Sequence, residues 1–462
     1  MINYFNFKEF DRENMLITND FGAYAFVTKP ELRMLLEHSL DASCEKYAEL
    51  ADRGFILPDK WEKFADDAIF RYRQAKNYLF GATSLHIFVL TNACNLGCIY
   101  CQARDHKKVV PQKMDRQTAM RAVDIALQSP EPQLNFEFQG GEPLLNFDIL
   151  KYIVEYAEQK KGHHSITYSV VTNLMLLSDE MIAFFKAYDV RVSTSLDGDA
   201  YTHDQNRPDH TGAGTYQAVV QAVRRLQKAG VPVGAIQTTT RYSLGRAKEI
   251  VDAYVDMGFD GIFIRPLTKL GTAALNWDEI GYTAEEFIGF YQECLDYILQ
   301  CNLNGVAMTE GHAGIFLAKI LHGKAQNYME LRSPCGASVG QVAYYFNGDV
   351  YTCDEGRMVA EMGDNAFRLG NVFENTYDQM MASPVCKTVC LSSALECLPE
   401  CADCVYQPYC GTCPVVNYAQ SRNVFTRDAQ GYRCQIYKGM LEVIFRILYE
   451  NRPEQMEIIE NW

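Results

Sequence analysis

Leu85-His86-Ile87-Phe88-Val89-Leu90 runs directly into Thr91-Asn92-Ala93-Cys94-Asn95-Leu96-Gly97-Cys98-Ile99-Tyr100-Cys101. The first six residues read as a buried β-strand, and the polar, glycine-containing, cysteine-rich stretch after them ends it. The same succession recurs along the chain. Strands are expected at 85–90, 134–139, 166–171, 190–194, 231–238 and 261–264, separated by helical patterns near 116–128, 147–160, 179–188, 215–229 and 244–257. Strands alternating with helices of this length imply crossover connections and a parallel sheet, either rolled into a barrel or open. Chemistry in such sheets belongs at the carboxyl ends of the strands. The unusual residues stand at those ends: the cysteine triplet after the first strand, Gln139-Gly140-Gly141-Glu142-Pro143 after the second, Thr172-Asn173 after the third. Ser195-Leu196-Asp197-Gly198, Thr239-Thr240-Arg241 and Arg265-Pro266 follow the remaining three.

A structural zinc site closes on four ligands, commonly two Cys-x2-Cys pairs, whereas Cys94, Cys98 and Cys101 form an isolated C-x3-C-x2-C triplet. On a 4Fe-4S cluster, three thiolates leave one iron open to a small molecule. Gly-Gly-Glu-Pro and Ser-Leu-Asp-Gly on their own read as turns and Thr-Asn as a helix cap, but their recurrence at successive strand ends favours a shared function. With Gly140-Gly141-Glu142-Pro143 following it, the triplet resembles that of the radical S-adenosylmethionine enzymes. The resemblance implies a 4Fe-4S cluster on the three cysteines and S-adenosylmethionine beside it, its methionyl amino group held by the loop of Gly140, Gly141, Glu142 and Pro143. It further implies Ser195 and Asp197 near the ribose and carboxylate of the cofactor, the backbone around Tyr100 at the adenine, and Thr172 and Asn173 at the same mouth. Arg207 is the candidate partner of the methionyl carboxylate, because a guanidinium suits bidentate carboxylate recognition. His86 and His203 read as structural.

Of sixteen cysteines, ten lie from Cys335 to Cys434. A zinc ribbon on the two Cys-x2-Cys pairs, Cys401/Cys404 and Cys410/Cys413, leaves Cys335, Cys353 and Cys434 unexplained. The seven-cysteine order, with Gly348 ahead of Cys353, resembles the SPASM extension of radical enzymes acting on peptides and proteins. That resemblance implies two auxiliary 4Fe-4S clusters, the first on Cys335, Cys353 and Cys413, the second on Cys401, Cys404, Cys410 and Cys434. Two intervening residues separate Cys410 from Cys413, where the family more often has three. The first auxiliary cluster lacks an obvious fourth ligand: Cys386, Cys390 or Cys397 supplies it, or the iron is open to substrate. Cys44, Cys294 and Cys301 read as plain buried thiols. Asp354, directly after Cys353, corresponds to a proposed base in sulfatase-maturing relatives; the competing reading is a carboxylate bonded to local backbone.

The chain has 462 residues, a mass of 52.5 kDa and a formal charge of -15, which disfavours a general nucleic-acid binder. No apolar run reaches the ~20 residues a membrane span needs, and the N-terminus reads as free of an export signal, so a cytoplasmic location is expected. In that reducing compartment the cysteines point to metal rather than disulfides. Ahead of the sheet, a strand at 15–18, a turn at 19–22 and a strand at 24–27 precede a helix with Thr28 and Glu31 at capping-box spacing. A second helix is expected at 43–52 before extended residues 55–57. This resembles the winged-helix-like recognition element of ribosomal-peptide maturases; a simple N-terminal cap is the alternative. The expected organisation is a recognition module over 1–80, a partial (β/α)6 TIM-like barrel of the α/β class over 81–310, and a bridging region with the SPASM domain over 311–462.

The whole resembles radical/SPASM peptide maturases, notably those of the His-Xaa-Ser peptide system. Leu16-Ile17-Thr18-Asn19-Asp20, Thr238-Thr239-Thr240-Arg241-Tyr242-Ser243-Leu244 and Phe263-Ile264-Arg265-Pro266-Leu267 carry that likeness. It implies hydrogen abstraction from a precursor peptide by a 5'-deoxyadenosyl radical and a C-C or C-S crosslink, with three 4Fe-4S clusters in all. The partners implied are the leader and core of that peptide, a reducing flavodoxin or ferredoxin, and a second maturase. The rivals are a formylglycine-generating sulfatase maturase and a noncatalytic metal-binding peptide scaffold.

Overall fold

The strand and turn signals near the N-terminus form a three-stranded antiparallel sheet of β1 (Asn6–Glu9), β2 (Asn14–Thr18) and β3 (Tyr24–Thr28). The computed structural model describes residues 1–57, 61–103, 110–325, 328, 330–425 and 431–462. β1 was not foreseen: Phe7 is its single large apolar residue, and pairing with β2, from Asn6 opposite Thr18 to Glu9 opposite Met15, makes it a strand. The helix Lys29–Leu36 begins where the capping box places it. Thr28 Oγ1 accepts from the Glu31 amide at 3.2 Å, and the Glu31 carboxylate accepts from the Thr28 amide at 2.7 Å. One face of this unit buries Ile17, Leu35, Leu50 and Phe55 together. The other face carries Phe10, Tyr24 and Phe26 onto the helix Tyr432–Glu450, with ring centroids 4.9 Å apart for Phe26 and Tyr449 and 5.4 Å for Tyr24 and Phe445.

Next come β4 (Leu85–Val89), β5 (Gln133–Gln139), β6 (Ser165–Val171), β7 (Arg191–Ser195), β8 (Val233–Thr238) and β9 (Gly261–Arg265), all parallel and in sequence order. The helices Arg116–Ala126, Phe147–Lys160, Asp179–Ala187, Tyr216–Ala229 and Ala247–Asp256 connect them, so the expected α/β alternation is the observed one. The fold places all six carboxyl ends on one edge. A short helix, Ala200–Asn206, interrupts the crossover after β7 and delivers Arg207 to that edge.

Among the described residues the sheet does not close on itself. β10 (Thr309–Glu310) adds in parallel to β9, and on the other side β11 (Gln341–Tyr344) adds in parallel to β4, with Gln341 opposite Leu85. The antiparallel β12 (Asp349–Tyr351) and β13 (Arg368–Asn371) complete a ten-stranded sheet. An open edge of β4 would present unpaired backbone groups, and the cysteine-rich region satisfies them. Among the described residues no helix is long and apolar enough to cross a membrane.

Candidate active site

The loop after β4 is held by the loop after β5. The Gly141 amide donates to the Thr91 carbonyl and the Glu142 amide to the Ala93 carbonyl, each at 2.8 Å. A Cβ on Gly140 would lie 2.5 Å from the Thr91 oxygen, and one on Gly141 2.2 Å from that of Ala93. Both glycines line the cavity, and their missing side chains also admit the backbone of the cysteine loop. Pro143 is re-read: it is buried in the first turn of the short helix Pro143–Asn146 and is absent from the cavity wall.

Glu142 is buried, lines the cavity and accepts from the Leu144 amide at 3.0 Å, Thr172 Oγ1 at 2.6 Å and the Asn173 amide at 2.8 Å. Burial raises its pKa, and those donors and Arg207 oppose the rise. Asn173 Nδ2 reaches Asn95 Oδ1 at 2.8 Å and lies 3.8 Å from Cys94 Sγ. The third strand end is thereby tied to both the second and the first.

Tyr100, Asp197 and Arg207 form a buried relay. Arg207 Nη1 donates to the Tyr100 hydroxyl at 2.6 Å, which donates to Asp197 Oδ1 at 3.1 Å, and the Thr238 amide reaches the same oxygen at 3.2 Å. Burial pushes the Asp197 carboxyl up to about 6 against the pull of Arg207. Ser195, Tyr100 and Arg207 line the cavity, but Asp197 does not. Asp197, expected near the ribose and carboxylate of the cofactor, lies one layer behind the cavity wall and accepts from Tyr100. The Arg207 Nε atom is buried without a partner. Burial pushes Cys98 up to about 12, while Arg207 pulls it down. His203 Nδ1 accepts from the Asp197 amide at 3.3 Å, and His86 meets the Tyr344 hydroxyl at 3.0 Å, structural roles for both.

One cavity of about 510 Å³ is lined by Cys94, Cys98 and Cys101 and also by Cys335, Cys353 and Cys413. The latter three share one apolar cluster with Leu270, Met358 and Val415. Cys353 and Cys413 occupy N-cap positions of the helices Asp354–Glu361 and Pro414–Ser421, and Cys353 Sγ accepts from the Gly356 amide at 3.3 Å. Burial raises the pKa of all three thiols, Cys335 to about 11. Thiols so buried, two of them at electropositive helix ends, suit a metal cluster that draws them into the thiolate form.

Asp354 lines the cavity in an ion pair with Arg357, whose Nε lies 3.1 Å from Asp354 Oδ1. Arg357 also donates to the Ala103 carbonyl at 3.2 Å, so the partner of Asp354 is itself anchored beside the Cys101 loop. Arg265, from the sixth strand end, lines the same cavity, as do Glu137 and Glu355, which the sequence did not single out. The alternating pattern of β5, with Leu134, Phe136 and Phe138 buried, was the available signal for Glu137.

The other four cysteines of the SPASM-like order are absent from the cavity wall. Cys401 is buried with Leu395 and Leu398, and Cys410 packs against that group. The segment between them is clasped by the N-terminal strands. Asn6 Nδ2 donates to the Ala402 carbonyl at 3.0 Å and the Cys404 carbonyl at 3.2 Å, and Thr18 Oγ1 donates to the Val405 carbonyl at 2.7 Å. Cys434 stands in the first turn of Tyr432–Glu450.

Cys386 and Cys390 lie one turn apart on Pro384–Ser392, where a hydrogen bond between the thiols lowers the pKa of Cys386. Neither lines the cavity, Cys390 is within electrostatic reach of Cys335, and Cys397 is exposed. Cys294 is buried as expected, but Cys44 and Cys301 are only half-buried, and Cys44 caps the helix Glu45–Asp52 by accepting from the Tyr47 amide at 3.3 Å. Among the described residues no three His, Cys, Asp or Glu side chains converge at the spacing of a single ion.

Residues 88–256 match the Radical SAM superfamily. A serine-type anaerobic sulfatase-maturating enzyme of Bacteroides thetaiotaomicron is 24% identical over 393 residues, 79% of this chain and 90% of that one. An uncharacterised protein of Methanocaldococcus jannaschii is 31% identical over 176 residues, and the match spans 38% of this chain and 60% of that protein. Among solved structures, anSMEcpe with bound AdoMet and the Kp18Cys peptide superposes with a TM-score of 0.69 at 21% identity, over 82% of this chain and 99% of that one. Streptococcus suis SuiB bound to its precursor peptide SuiA gives 0.54 at 15% identity, over 93% and 99%. At these identities the superpositions establish the fold.

Proposed function

We propose, from the match of residues 88–256 to the Radical SAM superfamily, that this chain is a radical SAM maturase of a ribosomally made peptide. The observation that carries the reading is the single cavity bounded on one side by Cys94, Cys98 and Cys101 and on the other by Cys335, Cys353 and Cys413. In this reading the first set holds the 4Fe-4S cluster that binds S-adenosylmethionine, and the second holds an auxiliary cluster. Cys401, Cys404, Cys410 and Cys434 hold another. When bound, the reduced cluster and S-adenosylmethionine supply one-electron abstraction of a hydrogen atom from an unactivated C-H bond. The chain's own residues do the rest.

Arg207, presented by Tyr100 and Asp197, receives the methionyl carboxylate; the Gly140-Gly141-Glu142 loop receives the amino group, with Ser195, Thr172 and Asn173 completing the mouth. The peptide residue to be modified enters between the two cysteine sets. Asp354, held by Arg357 on that wall, takes up the proton released as a C-C or C-S crosslink forms, the auxiliary cluster that Cys335, Cys353 and Cys413 would hold would supply the acceptor for the accompanying electron, and Glu355 and Glu137 stand beside the same space. The unit of residues 1–80 binds the leader, and a flavodoxin or ferredoxin supplies electrons. Relatives named for sulfatase maturation and for a precursor peptide support a peptide or protein substrate.

Expression with a small peptide encoded beside this gene, followed by tandem mass spectrometry, tests the reading. A mass loss of two hydrogens per crosslink, mapped to two residues, is expected. A formylglycine on a co-expressed sulfatase, with no change in the peptide, supports the sulfatase-maturing alternative instead. Reconstituted protein should hold about twelve irons, and fewer than about four with zinc in their place would leave only a noncatalytic scaffold.

A further inference from the structure

The loop that carries Cys410 rests on a buried cation. Lys319, on the helix Gly311–His322, is 8% exposed. Its Nζ donates to the Tyr409 carbonyl at 3.1 Å and to the Leu331 carbonyl. Among the described residues no carboxylate pairs with it. Glu396, on the wall of the same small cavity, is taken by Lys76 and by Ser333 Oγ at 2.6 Å. Burying an ammonium without a counter-charge costs several kcal/mol; burial lowers the Lys319 pKa to about 8, Lys76 and Arg332 add to that fall and Cys410 opposes it, so an anion at Cys410 would hold Lys319 in its charged form. Cys410 is the acidic group within electrostatic reach of Lys319.

A second observation concerns the link Cys410-Gly411-Thr412-Cys413. A Cβ on Gly411 would lie 2.2 Å from the Glu330 oxygen and 2.9 Å from the Arg332 amide. The link therefore crosses directly over the backbone of residues 330–332, which leads into Cys335. Lys319 ties the two crossing segments together, one carbonyl from each. Cys410 and Cys413 belong to different cysteine sets in the function proposed above, so this crossing is where the sets meet.

Resting on that reading, we infer that Lys319 is a positioning residue for the auxiliary clusters, fixing the Cys410 loop against the segment that leads to Cys335 and biasing the cluster on Cys410 toward its reduced form. Four thiolates on a 4Fe-4S core leave a net negative charge that grows on reduction, and a fixed cation nearby favours the more negative state. The short two-residue link is then compensated by a clamp from outside the motif.

The test is an EPR-monitored redox titration and an iron assay on the full-length, anaerobically reconstituted holoenzyme as wild type, Lys319→Met and Lys319→Arg. Expected is an unchanged iron content in Lys319→Met with one auxiliary signal shifted to lower potential, its reduced-to-oxidised ratio at fixed poise falling about tenfold, ~59 mV for a one-electron couple. Lys319→Arg should return close to wild type. If Lys319→Met instead loses about four irons that Lys319→Arg keeps, the charge requirement stands by the same logic. Wild-type potentials with full iron in Lys319→Met would overturn the inference, as would equal loss of iron in both variants. Wild-type protein holding only about four irons would remove the auxiliary-cluster reading itself, a failure visible before any variant is made.

Discussion

Cys335, Cys353 and Cys413 face the cavity that also holds the Cys94 loop, whereas Cys401 and Cys410 pack away from it and the backbone around Cys404 is held by β1 and β2. The proximal set is built on two helix N-termini inside apolar packing. The distal set is built on carbonyls clasped from a different part of the chain, by Asn6, Thr18 and Lys319. The difference teaches that the two halves of one cysteine pattern answer to different parts of the molecule. The proximal set shares its space with whatever enters the cavity, and the distal set shares its fold with the N-terminal unit. Removing that unit would also strip the aromatic seam from Tyr432–Glu450, so point substitutions probe it more cleanly than truncation.

The largest effect separates the mouth from the proximal set. Cys98→Ala should abolish S-adenosylmethionine cleavage and lower iron by about four per chain, while Cys353→Ala should lower iron similarly yet keep uncoupled cleavage without crosslinked product. Chromatography of 5'-deoxyadenosine beside an iron assay reads both, and loss of cleavage in Cys353→Ala would break the division. Next, Arg357→Met strands the Asp354 carboxylate in the wall between the two sets and should cost about 3–5 kcal/mol in chemical denaturation. A loss below about 1 kcal/mol would mean that Asp354 reaches solvent or another cation.

Gly141→Ala forces the second loop off the cysteine loop and should cost about 1–3 kcal/mol by overpacking, read by thermal unfolding. The smallest change expected is Thr18→Val, which removes one buried hydrogen bond to the Val405 carbonyl, about 1 kcal/mol. It should disturb the spectroscopic signal of the distal cluster and leave S-adenosylmethionine cleavage untouched. Equal disturbance of both auxiliary signals would erase the contrast between proximal and distal sets.

Much of the fold was legible because short β-rich segments alternate with helical ones along the chain, and the six expected strands differ from β4–β9 by only a few residues at their ends. β10, two residues long, and β1, nearly without apolar residues, carry no such signal and exist through their partners. β11 was missed although Gln341–Tyr344 is fully buried, because it completes a sheet begun more than two hundred residues earlier. At the site, residue types were readable and their reasons were not. Gly140 and Gly141 look like a ligand loop in sequence, and only the structure shows that they also admit a backbone crossing. Asp197 looks like a contact residue but stands behind one. Glu137 was hidden in an ordinary alternating strand.

The sequence by itself determined the α/β alternation, the loop in which each candidate residue sits and the order of the cysteines, because strand burial and turn chemistry are local. Only the tertiary structure decided that Cys94 and Cys353 open on one cavity, that Asp354 is held by Arg357, and that Lys319 lies under the Cys410 loop. These relations join segments tens to hundreds of residues apart, where packing and the pairing of buried charge govern and local propensity says nothing.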